Sequence, residues 1–275
     1  MSGVYEYDGV RFRYEIHGEG FPFVFNHGLG GDRTQPRDLA GVVPGYGTIV
    51  WDNRAHGETR PVGPPEALGF ERTAEDLGAL LDHLEISEAV VGGISMGAGV
   101  TARFAIRNPG RVRALVLCRP AWLDRPLPES LALFPVVADL LGRDSPESGE
   151  AELRARPEFK KIEEVSKEMA ESLLQQFHKP EARERRERLE RFANSAPISD
   201  WDDVAGLSVP ALVVGNDRDP VHPWEFAEEW AARLSNARLV KIPSKAESEE
   251  RHAAEFRAAL VDFLDAVGRG DFKPC

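Results

Sequence analysis

Ala89-Val90-Val91-Gly92-Gly93-Ile94-Ser95-Met96-Gly97 is the stretch that decides the fold. The run from Ala89 to Val91 reads as a short buried strand, and the residues beyond Gly97, with Val100, Phe104 and Ala105 at helical spacing, read as a helix. Between them stands Gly93-x-Ser95-x-Gly97. Small residues flank the serine because a strand that turns sharply into a helix leaves no room for side chains beside the corner. The spacing therefore predicts that the Ser95 hydroxyl projects into a cleft as a nucleophile.

Working outward, Val4 to His17 alternates apolar and polar residues around Asp8-Gly9, which predicts an opening antiparallel hairpin. Short apolar runs follow at Phe23 to Phe25, Thr48 to Trp51, Val112 to Leu117, Ala211 to Val214 and Arg238 to Ile242. Such runs suit strands buried on both faces, and helical patterns separate them: Leu77, Leu80, Leu81 and Leu84, and finally Phe256, Leu260, Phe263 and Leu264. Strand and helix alternating in this way predict an α/β fold with a mostly parallel, doubly wound sheet. From Pro120 to Asp200 the alternation stops and helical patterns prevail, so residues 120–200 are expected to form a helical insertion in a core of residues 1–119 and 201–275. Its charge-dense stretch, Glu181 to Arg191, is expected to be a solvated helix face with i,i+4 pairing.

A second glycine-rich loop, Asn26-His27-Gly28-Leu29-Gly30-Gly31, directly follows the run Phe23 to Phe25. Backbone freed by glycines can aim an amide at a developing oxyanion, so the Leu29 and Met96 N–H groups are the candidate two-donor hole. His27 is expected to pin the loop by hydrogen bonding. Asp52 to Gly57 is expected to be a polar turn packed beneath it.

These features together resemble the α/β-hydrolase superfamily, in its serine-nucleophile branch with a helical cap. The likeness rests on His27-Gly28, Asp52 to Gly57, the corner at Ser95, and Gly215-Asn216-Asp217-Arg218-Asp219-Pro220. It implies the α/β-hydrolase fold and a Ser, acid, His triad in that chain order, with the acid just after the strand that follows the cap. Asp219 fits that place, with Asp217 as competitor. The sequence departs from the family at the base: where the family carries Gly-His after the last strand, Ala246-Glu247 stands. By elimination His252 becomes the candidate, apart from His222 in the turn after the acid. Ser244-x-x-Glu247 fits a capping box, and a helix begun there would make His252 a core residue. A helix begun near Arg251 would leave it free to face the cleft. Lys245 and Glu247 are the alternatives as base.

The sequence has 275 residues, a net charge of −12 and a pI near 5.2, which disfavours nucleic-acid and membrane partners and suits a small-molecule substrate. Two cysteines, Cys118 and Cys275, argue against a disulfide framework, and the absence of a signal-like start or a long apolar run leads to the expectation of a cytoplasmic protein. Nothing in the chemistry calls for a metal or organic cofactor. The resulting expectation is a serine hydrolase cleaving an ester, thioester or lactone, with Trp122, Phe134, Val137 and Phe177 as candidates to line the pocket and Trp224 as a core alternative. The displaced histidine keeps a second class open: a non-hydrolytic member of the fold acting as a binder, cyclase or lyase.

Overall fold

A computed structural model describes residues 1–143 and 145–274; Cys275 lies outside them. Eight strands form one sheet: β1 (Ser2–Tyr7), β2 (Val10–His17), β3 (Phe21–Asn26), β4 (Tyr46–Trp51), β5 (Ala89–Ile94), β6 (Val112–Cys118), β7 (Ala211–Gly215) and β8 (Ala237–Lys241), in the order β1-β2-β4-β3-β5-β6-β7-β8. β1, β2 and β4 pair antiparallel, and every pairing from β4 onward is parallel. The opening hairpin turns on Asp8 and Gly9, both at positive φ (51° and 72°) as a two-residue turn between twisted strands requires.

Burial on both faces explains the largely apolar central strands. Along β6, Leu115 and Leu117 join the cluster under α2 (Phe70–His83) and α3 (Met96–Arg107). Ala114, Val116 and Cys118 join the opposite cluster under α1 (Thr34–Ala40) and α11 (Glu249–Arg269). α10 (Trp224–Arg233) covers β7 and β8. The position of the site follows from the winding. β3 runs on through α1 to β4 on one side, whereas its neighbour β5 runs through α3 to β6 on the other. The loops after β3 and β5 therefore diverge at the carboxyl edge and leave a crevice, the usual place for a ligand in an open α/β sheet.

Between β6 and β7 the chain forms only helices among the described residues: α4 (Leu133–Arg143), α5 (Pro146–Ala155), α6 (Pro157–Val165), α7 (Lys167–His178), α8 (Glu187–Ala193) and α9 (Trp201–Ala205). The reading of Glu181 to Arg191 as a solvated helix face needs correction. Only its second half is helical, and Arg185 and Arg188 are buried, 5% and 2% exposed. Arg185 donates to the Gly57 carbonyl at 2.7 Å and Arg188 to Gln176 Oε1 at 2.9 Å, so these cations fasten the cap to the core and to α7. A charge pattern alone does not distinguish a solvated arginine from one whose donors are met by carbonyls. No helix among the described residues is long and apolar enough to cross a membrane.

The corner itself depends on two glycines. A Cβ at Gly93 would lie 2.0 Å from the Gly97 carbonyl, and one at Gly97 would lie 2.5 Å from the Asn26 carbonyl oxygen. Both obstacles are backbone, which cannot rotate aside. Gly93→Ala is expected to cost ~4 kcal/mol, read as a lower urea midpoint; a loss below ~1 kcal/mol would mean the corner relaxes freely.

Candidate active site

Ser95 stands between β5 and α3 with φ 56° and ψ −114°, a conformation a side-chain-bearing residue adopts only under constraint. The constraint is visible: its amide donates to the Cys118 carbonyl at 2.9 Å, while the Ala98 amide donates back to the Ser95 carbonyl at 3.0 Å. The side chain lines a cavity of about 330 Å³ together with Gly28, Leu29, Arg119, His222 and Lys245. That size suits a small molecule.

The Gly28 loop lies against this corner, since a Cβ at Gly28 would touch Ser95 Cβ at 3.4 Å. Hydrogen bonds hold the loop, three of them at His27 and Gly28. His27 Nδ1–H donates to the Gly28 carbonyl at 2.8 Å, its Nε2 accepts from the Asn53 amide at 3.0 Å, and the Gly28 amide donates to Gln35 Oε1 at 2.7 Å. With both ring nitrogens engaged and burial pushing its pKa down, His27 is a fixed neutral strut. The Asp52 to Gly57 turn is held beneath it, where Asp52 accepts from the Arg33 and Glu58 amides, both at 2.8 Å. The Leu29 and Met96 amides are engaged by no other group among the described residues, and Met96, opening α3, belongs to the turn whose amides have no helical partner.

Asp219 follows β7 and is held firmly. His222 Nδ1 lies 2.8 Å from its Oδ2, and the Val221 and His222 amides donate to its Oδ1 at 3.1 Å each. Burial alone would raise its pKa, but the His222 charge and hydrogen bond, then Arg119, hold the carboxyl well below the usual range. Asp217 instead pairs at the surface with Lys241 at 2.7 Å. A carboxylate only accepts, so the His222 Nδ1 carries a proton, and Nε2 is turned away from Asp219; that nitrogen is buried and has no hydrogen-bond partner among the described residues.

The sequence-derived base, His252, is not brought to this cavity. α11 begins at Glu249 with Ser248 as its cap, after a separate turn in which Ser244 Oγ accepts from the Glu247 amide at 3.2 Å. His252 therefore lies in the first helical turn, one turn before Phe256, which stacks on Phe25. Its Nδ1 pairs with the Pro243 carbonyl at 2.8 Å, and it lines an adjoining cavity of about 690 Å³. Of the alternatives, Lys245 lines the Ser95 cavity but pairs with Glu168 at 3.1 Å, and Glu247 is exposed beside Arg251. Ser95 Oγ makes no hydrogen bond to any of these groups among the described residues; catalytic contacts often tighten only in the reacting complex. Cys118, behind the site, has its thiol pushed up to about 11 by burial and is no nucleophile.

Of the four cap candidates only Phe134 lines the cavity; Trp122, Val137 and Phe177 are packed in the core. Trp224 packs against Gly215, under the Lys241 ammonium. Sequence reading passed over Arg119 entirely and gave His222 no role. The available signals were a lone arginine ending an apolar strand, in Leu117-Cys118-Arg119-Pro120, and a histidine three residues beyond the acid.

His252 also makes an acid-stability prediction. Burial, then the Arg119 charge, pushes its pKa down to about 4, against about 6.5 when unfolded. The unfolded chain thus binds the extra proton, so this contribution is intact above pH ~6.5 and lost as pH falls towards 4. His252→Asn keeps a donor for the Pro243 carbonyl and should remove roughly 2 kcal/mol of the stability loss between pH 7 and 4, read from urea midpoints. Superimposable curves would contradict a buried neutral imidazole.

A strand-corner-helix serine, amides beside it and an acid after β7 on a mostly parallel sheet define an α/β hydrolase. The chain belongs to this family: residues 22–247 match the alpha/beta hydrolase fold. It is 28% identical over 275 residues to a non-heme haloperoxidase of Rhodococcus erythropolis, covering 94% of this chain and 97% of that one. A non-heme chloroperoxidase, CPO-A1, of Kitasatospora aureofaciens is 40% identical over 113 residues, 40% of either chain. A thermophilic esterase from Thermogutta terrifontis superposes with a TM-score of 0.72 at 25% identity, covering 96% of this chain and 99% of that one.

Proposed function

We propose that the chain is a serine hydrolase that cleaves a small ester, thioester or lactone through an acyl-enzyme on Ser95, with His222 as the base and Asp219 orienting it. One observation carries this reading: the strained Ser95 corner and a carboxylate-held imidazole with a free Nε2 line the same cavity. His222 Nε2 takes the hydroxyl proton as Ser95 Oγ attacks the carbonyl. The oxyanion is received by the Leu29 and Met96 amides, and the imidazolium returns its proton to the leaving group. Asp219 is suited to stabilise that imidazolium because its charge persists throughout the neutral range. Water, activated by the same nitrogen, releases the acid.

The test is labelling by a fluorophosphonate together with turnover of p-nitrophenyl butyrate. A phosphonylated peptide containing Ser95 and ester turnover are expected. An unlabelled protein with no turnover would leave the non-hydrolytic reading, which the absence of a Ser95 Oγ hydrogen bond to a base among the described residues favours.

A further inference from the structure

Arg119 is the first residue after β6, turned back at φ 48° with its amide on the Val214 carbonyl at 2.7 Å. It is 4% exposed and lines both the Ser95 cavity and the adjoining one, so it stands where they meet. Its Nε has no hydrogen-bond partner among the described residues, and the carboxylate within reach, Asp219, is 3.5 Å from Nη1. Asp219 already accepts three bonds from His222 and the Val221 amide. A buried guanidinium with an unmet donor is unfavourable, and its planar fork is matched by an anion that accepts two parallel bonds.

We propose that Arg119 receives a carboxylate of the substrate, so that the ester or lactone cleaved at Ser95 carries a free carboxylate a few bonds from its scissile carbonyl. This rests on the hydrolase reading above and names its substrate class. The closeness follows from topology. The Ser95 amide donates to the carbonyl of Cys118, the residue before Arg119, across adjacent strands about 4.8 Å apart. The acidic groups of the wall are exposed or paired. Glu171 and Glu249 are exposed at the solvent edge, and Glu168 is neutralised by Lys245 at 3.1 Å. In a chain of net charge −12, Arg119 is thus a buried cation on this cavity whose nearest carboxylate, Asp219, is already shared with His222.

The experiment compares two esters of one shape: mono-p-nitrophenyl glutarate and its methyl ester, each corrected for spontaneous hydrolysis. The intact protein is expected to favour the anionic ester in kcat/KM by about tenfold or more. Arg119→Gln should lower that preference at least tenfold, and Arg119→Lys should restore part of it. Because the readout is a ratio, incomplete folding cancels. An unchanged ratio in Arg119→Gln overturns the proposal. Failure to turn over either ester sinks the hydrolase reading instead, and glutarate binding by calorimetry then decides the anion site. Saturable binding weakened at least tenfold by Arg119→Gln supports it, whereas no binding, or binding equal in both, overturns it.

Discussion

Ser95→Ala is expected to lower kcat/KM toward p-nitrophenyl butyrate by on the order of 10⁴-fold or more, with no fluorophosphonate label, while the fold is retained. The size of the effect comes from chemistry: without Oγ there is no covalent intermediate, and only the amides and the cavity remain to assist water. Retention of the fold is expected because Ser95 Oγ makes no hydrogen bond among the described residues, so its removal orphans no partner. Alanine must still adopt φ 56°, as serine does. A variant that keeps more than a tenth of the activity would place the nucleophile elsewhere.

The second large effect separates two histidines that the sequence leaves in competition. His222→Asn is expected to cost on the order of 10³-fold or more in kcat, because an amide has no basic nitrogen to offer Ser95. His252→Asn should stay within about threefold of the parent, since its donor to the Pro243 carbonyl is preserved and the residue lines the neighbouring cavity. The comparison is internal: both rings are buried, both have an unpartnered Nε2, and both lie beyond β7. What differs is the partner of Nδ1, a carboxylate for one and a peptide carbonyl for the other. Only a carboxylate stabilises an imidazolium by a full charge. The opposite order of losses would make His252 the base.

Much of this molecule was legible in the sequence because its signals are local. Each of the six apolar runs read as a parallel strand overlaps one, since segments covered on both sides are largely apolar; the edge strand β8 is only half-buried and carries Arg238 and Lys241. Gly93 and Gly97 announced the corner because only their missing side chains allow backbone to pass at such short range. The loop of His27 to Gly31 was readable for the same reason: its composition states what its backbone must do. The cap was foreseen as helical, but its buried arginines were not, because the carbonyls that receive them belong to Gly57 and Arg185 and to the Gln176 side chain, remote or irregular positions without a pattern.

By itself, then, the chain determined its strands, the strained serine and the amides beside it, all set by neighbours in sequence. Tertiary structure decided which charged and titratable groups share a cavity with that serine. It paired Asp219 with His222, drew Asp217 out to Lys241, set His252 behind a helical turn and brought Arg119 to the cavity. The physical reason is that side-chain chemistry is short-ranged in space, so its partners are chosen by sheet order and helix placement, which no local pattern of residues encodes.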